Sequence, residues 1–184
     1  MNSNQLSVIT LTVALSFGLS VLAFTQGNTN SVSMIELTGE SAEYWPRWRG
    51  PSGQGLVPTG NYPDRWTAID NVLWRTSLSG RGNSSPIVWD DYIILTSGRD
   101  AGQRLFVEAY RRSDGTLRWE TEVAPGPPER VHSKNGPASA TPTTDGKQIF
   151  ASLGERGLVS LDFDGNILWH TDVGTINNYH GPAG

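Results

Sequence analysis

Arginine, lysine and histidine are the residues of this chain whose side chains could bind a ligand or transfer a proton. Histidine titrates near neutral pH, so His132 and His180 could transfer a proton or bind a metal. Arginine and lysine bind carboxylates and anionic polymers through charge-assisted hydrogen bonds. Each of these side chains also has a simpler interpretation as a solvated loop residue. Its position in the fold distinguishes the two interpretations. The candidate ligand-binding residues are Arg81, Asn83, Arg99, His132, Lys134, Asn135, Arg156 and His180.

No catalytic motif accompanies these residues. The chain contains no cysteine, which excludes disulfides, thiol catalysis and cysteine-based metal sites. It has no glycine-rich phosphate loop, nucleophile elbow, His-Glu zinc motif or acidic calcium-loop spacing. The formal charge of -4, without a run of lysine or arginine, argues against nucleic acid as a partner. We therefore predict no catalytic residue and no metal ligand, and no cofactor is evident from the residues alone.

A repeated segment indicates which elements must position the candidate residues. Residues 114–123 recur fifty positions later as residues 164–173. Each copy begins with the Asp-Gly signal of a tight turn and continues into an apolar strand, which contains Trp119 or Trp169. A weaker copy around Trp74 precedes them. A period of about 45 to 50 residues fits one four-stranded propeller blade.

A second alignment supports the blade interpretation. Residues 86–98 align without a gap on residues 142–154, and each segment gives a strand, a turn, a second strand and a glycine. The blade units run from about 84 to 123 and from about 138 to 173, and residues 71–78 are predicted as a lone closing strand. We therefore predict an all-β fold, a β-propeller of four-stranded antiparallel blades, with about two blades and one closing strand present.

The repeat also predicts where the candidate residues lie. Blade-to-blade connections and the loops between second and third strands meet at one face of a propeller. The connections contain Arg81, Asn83, His132, Lys134, Asn135 and His180, and the inner loops contain Arg99 and Arg156. The sequence therefore predicts a cationic rim that could bind a carboxylate-bearing ligand or an anionic polymer.

The number of blades leads to an expectation about the length of the protein. Complete propellers use four to eight blades, and two blades leave sheet faces and edges uncovered. We expect residues 44–184 to be the first part of a larger propeller domain. The alternative is a ring assembled from several short chains.

The N-terminal residues differ in composition from the rest. Residues 6–24 carry no charge and are mostly apolar, and residues 21–23 offer the small side chains of a signal-peptidase site. We predict a secretory signal peptide at 1–23, a flexible lead-in at 24–43 and a periplasmic or secreted mature protein without a stable membrane anchor. The alternative is an uncleaved anchor helix.

Three tryptophans lie outside the repeat and have two interpretations. Trp45, Trp48 and Trp66 either pin their segment across the first blade or form an aromatic platform for a sugar or a flat cofactor. The second interpretation requires that the three rings be exposed and coplanar.

These features together resemble the bacterial PQQ-binding-like β-propeller repeat proteins, which have a quinoprotein alcohol dehydrogenase-like fold. The resemblance rests on the lead-in at 45–51, on 72–74, on 81–86 and on the blade repeat. In that family the repeat tryptophan docks neighbouring blades together. The resemblance therefore implies that Trp74, Trp119 and Trp169 dock blades.

The resemblance implies two functions, and Trp45, Trp48 and Trp66 indicate a third. The first is an exported, non-catalytic scaffold that binds a protein, a polysaccharide or a small ligand, since the family includes the outer-membrane-assembly propeller, which binds protein without a quinone. The second is a periplasmic PQQ-dependent dehydrogenase of alcohols or sugars, whose calcium and quinone ligands would have to come from blades outside this sequence. The third is a carbohydrate-binding propeller.

Overall fold

The structure is a computed structural model that describes residues 38–57, 60–123, 125–128 and 134–174. Chain contacts separate Met1–Ser33 from Met34–Gly184, and every described residue belongs to the second unit. The predicted signal peptide and most of the predicted lead-in lie outside the described residues. Within the described residues, no helix has the length and apolar character needed to cross a membrane.

In the described part of the chain, eight strands form two four-stranded antiparallel sheets. Within each sheet the strands follow one another in chain order. The first sheet contains β1 (Ile87–Trp89), β2 (Tyr92–Arg99), β3 (Arg104–Arg111) and β4 (Leu117–Val123). The second contains β5 (Thr143–Thr144), β6 (Ile149–Ser152), β7 (Leu158–Leu161) and β8 (Ile167–Thr171). The prediction of an all-β fold with four-stranded antiparallel blades is confirmed.

The Asp-Gly turns that precede the last strand of each sheet combine an aspartate acceptor with a glycine of positive φ. Between β3 and β4, Asp114 Oδ1 accepts the backbone N–H of Thr116 at 2.9 Å, and Gly115 has a φ of 73°. Between β7 and β8 the accepting side chain is Asp162, and Gly165 has a φ of 88°. Residues with a Cβ rarely adopt such φ values, so these glycines fix where the last strand of each sheet begins.

The core lies between the two sheets. Side chains directly opposite in a register share a face, so the pairing of Ile94 with Ala109 puts both on the face toward the second sheet. Burying each large aliphatic side chain contributes about 1.5 to 3 kcal/mol, so this interface stabilises the pair of blades. The buried residues are Ile87, Ile94, Leu105, Val107, Ala109 and Val123 from the first sheet, and Ile149, Ala151, Leu153, Val159 and Leu161 from the second.

A tryptophan packs on the turn glycine of the following sheet. The Trp119 indole N–H donates to the Phe163 carbonyl at 2.8 Å, and a Cβ on Gly165 would lie 2.7 Å from the indole Cδ2. Trp74 repeats this arrangement one sheet earlier. Its N–H donates to the Arg112 carbonyl at 2.8 Å, and a Cβ on Gly115 would lie 2.3 Å from its ring.

Trp169 occupies the place in the second sheet that Trp119 occupies in the first. Its side chain is 41% exposed, and its ring centroid lies 6.1 Å from that of Phe150. Leu158, on the same face of the sheet, is also exposed. The outer face of the second sheet therefore presents apolar side chains to solvent in the described part of the chain.

The aromatic lead-in crosses from one sheet to the other. Trp45 forms an antiparallel bridge with Val88 of β1. The next residue, Pro46, accepts the backbone N–H of Thr144 of β5 at 2.9 Å. Consecutive residues of the lead-in therefore connect the first strands of both sheets.

Residues 71–78, predicted as a closing strand, are not a strand in the structure. A strand needs a hydrogen-bonded neighbour, and no strand of the two described sheets pairs with this segment. Trp74 nevertheless packs on Gly115 as a last-strand tryptophan does. The tryptophan contact is therefore made without strand pairing.

The glycine beneath Trp119 gives a stability test. Gly165→Ala places a methyl group against the indole and strains a left-handed residue, so we expect a loss of about 2 to 4 kcal/mol in unfolding free energy. Gly174→Ala is the matched control, because Gly174 also has a positive φ of 75° but nothing lies within 4 Å of its Cβ position. It should cost about 1 kcal/mol. Urea titrations measure the unfolding free energy of both variants. Equal losses of unfolding free energy would contradict the contact between Trp119 and Gly165.

Candidate functional site

A groove opens at the end of the blades where the connections and the β2–β3 loop meet. Its walls are residues 78–83, residues 98–102 with Arg104, and residues 134–137, and its volume is about 1170 Å³. Leu78, Ala101 and Pro137 are the apolar side chains among the described lining residues. Glycine backbone and polar side chains form the rest, so the groove suits a ligand that makes hydrogen bonds.

The groove brings together five of the eight candidate residues, which are Arg81, Asn83, Arg99, Lys134 and Asn135. Two opposite walls are joined directly, since the Asn83 amide donates to the Lys134 carbonyl at 3.4 Å. Arg156 lies elsewhere, because its guanidinium donates to the Pro127 carbonyl beside Gly126. His132 and His180 fall outside the described residues.

Arg99 lies in the groove wall, but its guanidinium is committed to protein groups. It donates to Glu120 through both terminal nitrogens, one of them at 3.1 Å, and to the Ser79 hydroxyl at 2.6 Å. The hydrogen bond to Glu120 raises the pKa of Arg99 above its ordinary value and lowers that of Glu120. Arg99 therefore holds the groove together, and Arg81 is the better candidate for contact with a ligand.

A second ion pair lies beside the first on the same face. Arg104 donates to both oxygens of Glu122, at 2.9 and 2.7 Å. The guanidiniums of Arg99 and Arg104 lie 4.0 and 5.1 Å from the centre of the Phe106 ring. The two arginines thus cover an aromatic ring and are neutralised by carboxylates of β4.

Beneath Arg99 lies a buried polar cluster, here called the Glu108 cluster, of Ser97, Glu108 and Tyr110. Glu108 is 0% exposed. Its carboxylate accepts hydrogen bonds from the Ser97 hydroxyl and, at 2.6 Å, from the Tyr110 hydroxyl, and Arg99 lies 3.3 Å away. Burial and the hydrogen bond to Glu108 raise the pKa of Tyr110 well above its ordinary value. A buried carboxylate with these partners is satisfied.

The Glu108 cluster replaces an apolar core in the repeat. When the two sheets are aligned by their strand registers, each member of the Glu108 cluster has an equivalent position in the second sheet. These positions are Leu153 for Ser97, Val159 for Glu108 and Leu161 for Tyr110. The second trio is buried between the sheets. Sequence reasoning missed the cluster, although a glutamate inside the apolar run 105–110 was a visible signal.

The loop that enters the groove has an unusual backbone. Asp100, Ala101 and Gly102 have successive φ values of 52°, 56° and 88°. Left-handed conformations in residues other than glycine cost free energy and concentrate at binding sites. The surrounding contacts must therefore stabilise this loop against its own backbone preference.

The three lead-in tryptophans differ in exposure. Trp48 is 56% and Trp66 69% exposed. Trp45 instead packs its ring on Gly50, where a Cβ would lie 2.6 Å from the ring. Trp45 therefore packs against its own segment, in agreement with a structural role, whereas Trp48 and Trp66 are exposed to solvent.

The described residues do not fit a calcium-bound quinone. Among them, no three His, Asp or Glu side chains are grouped as a metal site requires. The buried carboxylate of Glu108 already accepts from Ser97 and Tyr110 through its two oxygens. No chemical step is therefore assigned to that cofactor.

Two antiparallel four-stranded sheets, consecutive in the chain and packed through a repeated tryptophan, are blades of a β-propeller. The family model for the PQQ-type repeat, described as outer membrane protein assembly factor BamB (PQQ_2), matches residues 20–180. This match spans most of the 184 residues, and the chain belongs to that family. Among curated proteins, none matches this chain.

The Glu108 cluster makes a prediction about stability. Glu108→Val alone should lower the unfolding free energy by about 2 to 4 kcal/mol, because Ser97, Tyr110 and Arg99 lose a buried acceptor. Installing the trio of the second sheet (Ser97→Leu, Glu108→Val, Tyr110→Leu) should recover most of this loss, since no buried hydroxyl is then left unpaired. Chemical denaturation measures both variants. A triple variant no more stable than Glu108→Val would contradict the equivalence of the two sites.

Proposed function

We propose that the protein is an exported, non-catalytic propeller scaffold that binds a polar segment of another protein along the groove. The observation that carries this proposal is the groove itself, which is lined by glycine backbone, by Asn83 and Asn135, and by the basic residues Arg81 and Lys134. Such a lining offers hydrogen bonds to a peptide backbone and charge to its acidic side chains.

The state of the nearby carboxylates supports binding rather than catalysis. A general base must be free to accept a proton from a substrate. Glu120 and Glu122 are each ion-paired with an arginine, which holds the pKa of both carboxyls below the ordinary value. Glu120 and Glu122 are therefore weak bases. The described lining of the groove has one carboxylate of its own, Asp100, which interacts with the charge of Arg104, so the groove favours a scaffold.

The family and the lining favour a protein partner. The family is described as an outer membrane protein assembly factor, and assembly implies contact with other proteins. Sugars usually stack on aromatic rings, and the described lining of the groove includes no aromatic side chain. The same family description, together with the uncharged apolar segment 6–24, supports export to the periplasm.

In-cell photo-crosslinking tests the proposal on the whole protein. A photoreactive amino acid at Asn83 or Asn135 should form an adduct with a defined protein, and Arg81→Glu should reduce its yield severalfold. The control position is Lys147, an exposed residue in the β5–β6 turn at the other end of the blades.

The crosslinking results that support the scaffold function differ from those that would overturn it. An adduct from the groove positions that is sensitive to Arg81→Glu and absent from Lys147 supports the scaffold function. No protein adduct from either groove position, or the same adducts from Lys147, would overturn it.

A further inference from the structure

We propose that Arg99, held by Glu108 and Glu120, positions the groove wall at residues 78–81 and releases it when the Glu120 carboxylate becomes protonated. The groove would then have an acid-sensitive wall. The use of this release in partner binding rests on the proposed function, whereas the release itself does not.

The wall lies directly on the end of β2. Ser79 Oγ accepts a hydrogen bond from Arg99 at 2.6 Å. Arg81 and Gly98 exchange two backbone hydrogen bonds, at 2.9 and 2.7 Å. Between these contacts, a Cβ on Gly80 would lie 2.5 Å from Ser97 Oγ, so backbone and β2 are in van der Waals contact.

The guanidinium of Arg99 lies beside Ser79 because two carboxylates pair with it. Glu120 of β4 accepts from both of its terminal nitrogens, and Glu108 of β3 lies 3.3 Å from one of them. A charged carboxylate is about twice as strong an acceptor as a neutral group. Protonation of Glu120 would therefore weaken the contacts that keep the guanidinium beside Ser79.

The other charged groups on this face act in the same direction. Arg104 lies over the same Phe106 ring as Arg99, and Glu122 neutralises it. Loss of the carboxylate charges leaves two guanidiniums near one ring, and like charges at short range repel. Among the described residues, the remaining titratable groups near Arg99 are Asp100 in the adjoining loop and Tyr110, which donates to Glu108 and stays neutral at acid and neutral pH.

The direction of the pH dependence follows from Glu120. Its hydrogen bond with Arg99 lowers the pKa of this carboxyl in the folded protein. A carboxyl whose pKa is lowered by folding stabilises the structure above its ordinary value, about 4.3, and loses that contribution as the pH falls through the lowered value. The wall is thus held at neutral pH and released in acid.

A matched ion pair in the same sheet separates this role from general stabilisation. Arg104 and Glu122 pair through the same groups on neighbouring positions of β3 and β4, and both side chains are partly exposed. Arg104 donates its hydrogen bonds to Glu122, whereas Arg99 donates to Ser79 as well as to Glu120. Glu122→Gln therefore removes an equivalent ion pair without touching the wall contact.

Amide hydrogen exchange of the whole protein measures the wall directly and needs no ligand. The probes are the amides of Arg81 and Gly98, whose hydrogen bonds join the wall to β2. After correction for intrinsic exchange rates, Glu120→Gln and Ser79→Ala should each exchange about tenfold faster than wild type at neutral pH, as expected for local opening. Glu122→Gln should match wild type.

The pH profile completes the test. Wild-type protection at Arg81 and Gly98 should fall in the acid range while the β3 amides stay protected, and Glu120→Gln should flatten this fall. Equal effects of Glu120→Gln and Glu122→Gln, or protection that does not depend on pH, would overturn the proposal. Ser79→Ala keeps every charge, so it preserves the test if Glu120→Gln lowers global stability. A failed crosslinking experiment would leave this result untouched.

Discussion

The contact on which the two blades depend is a tryptophan ring that lies on a glycine. Trp119 donates its N–H to a turn carbonyl of the second sheet, and its ring occupies the space where Gly165 has no Cβ. The ring can reach this turn only because glycine both adopts the positive φ and leaves the space empty. Trp74 with Gly115 and Trp89 with Gly146 pack in the same manner. The same contact between a tryptophan ring and a turn glycine therefore occurs at three places in the described residues.

The sequence was sufficient to predict the blades, because their signals are local. An Asp-Gly turn and a tryptophan strand are readable within ten residues, and their recurrence defines the repeat. The strand predicted at 71–78 differs from the structure, because strand formation depends on a neighbour that local pattern cannot supply. Trp74 still packs on Gly115, so the side-chain contact in this segment was more predictable than its hydrogen bonding.

The candidate site was only partly predictable. Loop positions placed Arg81, Asn83 and Lys134 at one groove, since the repeat fixes which segments meet. The pairing of Arg99 was not predictable, because its partners Glu108 and Glu120 lie on two other strands and only the register brings them together. The groove thus combines a surface that the repeat positions and a buried polar network whose equivalent positions in the second described blade are apolar.

The most direct test of the account is the proton NMR spectrum of the glycines in these turns. An indole ring directly over a glycine shifts its Hα resonance far upfield, and the structure predicts this for Gly115, Gly146 and Gly165. Trp119→Leu should return the Gly165 resonance to its ordinary position and leave the other two shifted. Ordinary Hα shifts for all three glycines in the folded protein would contradict the packing on which the blades depend.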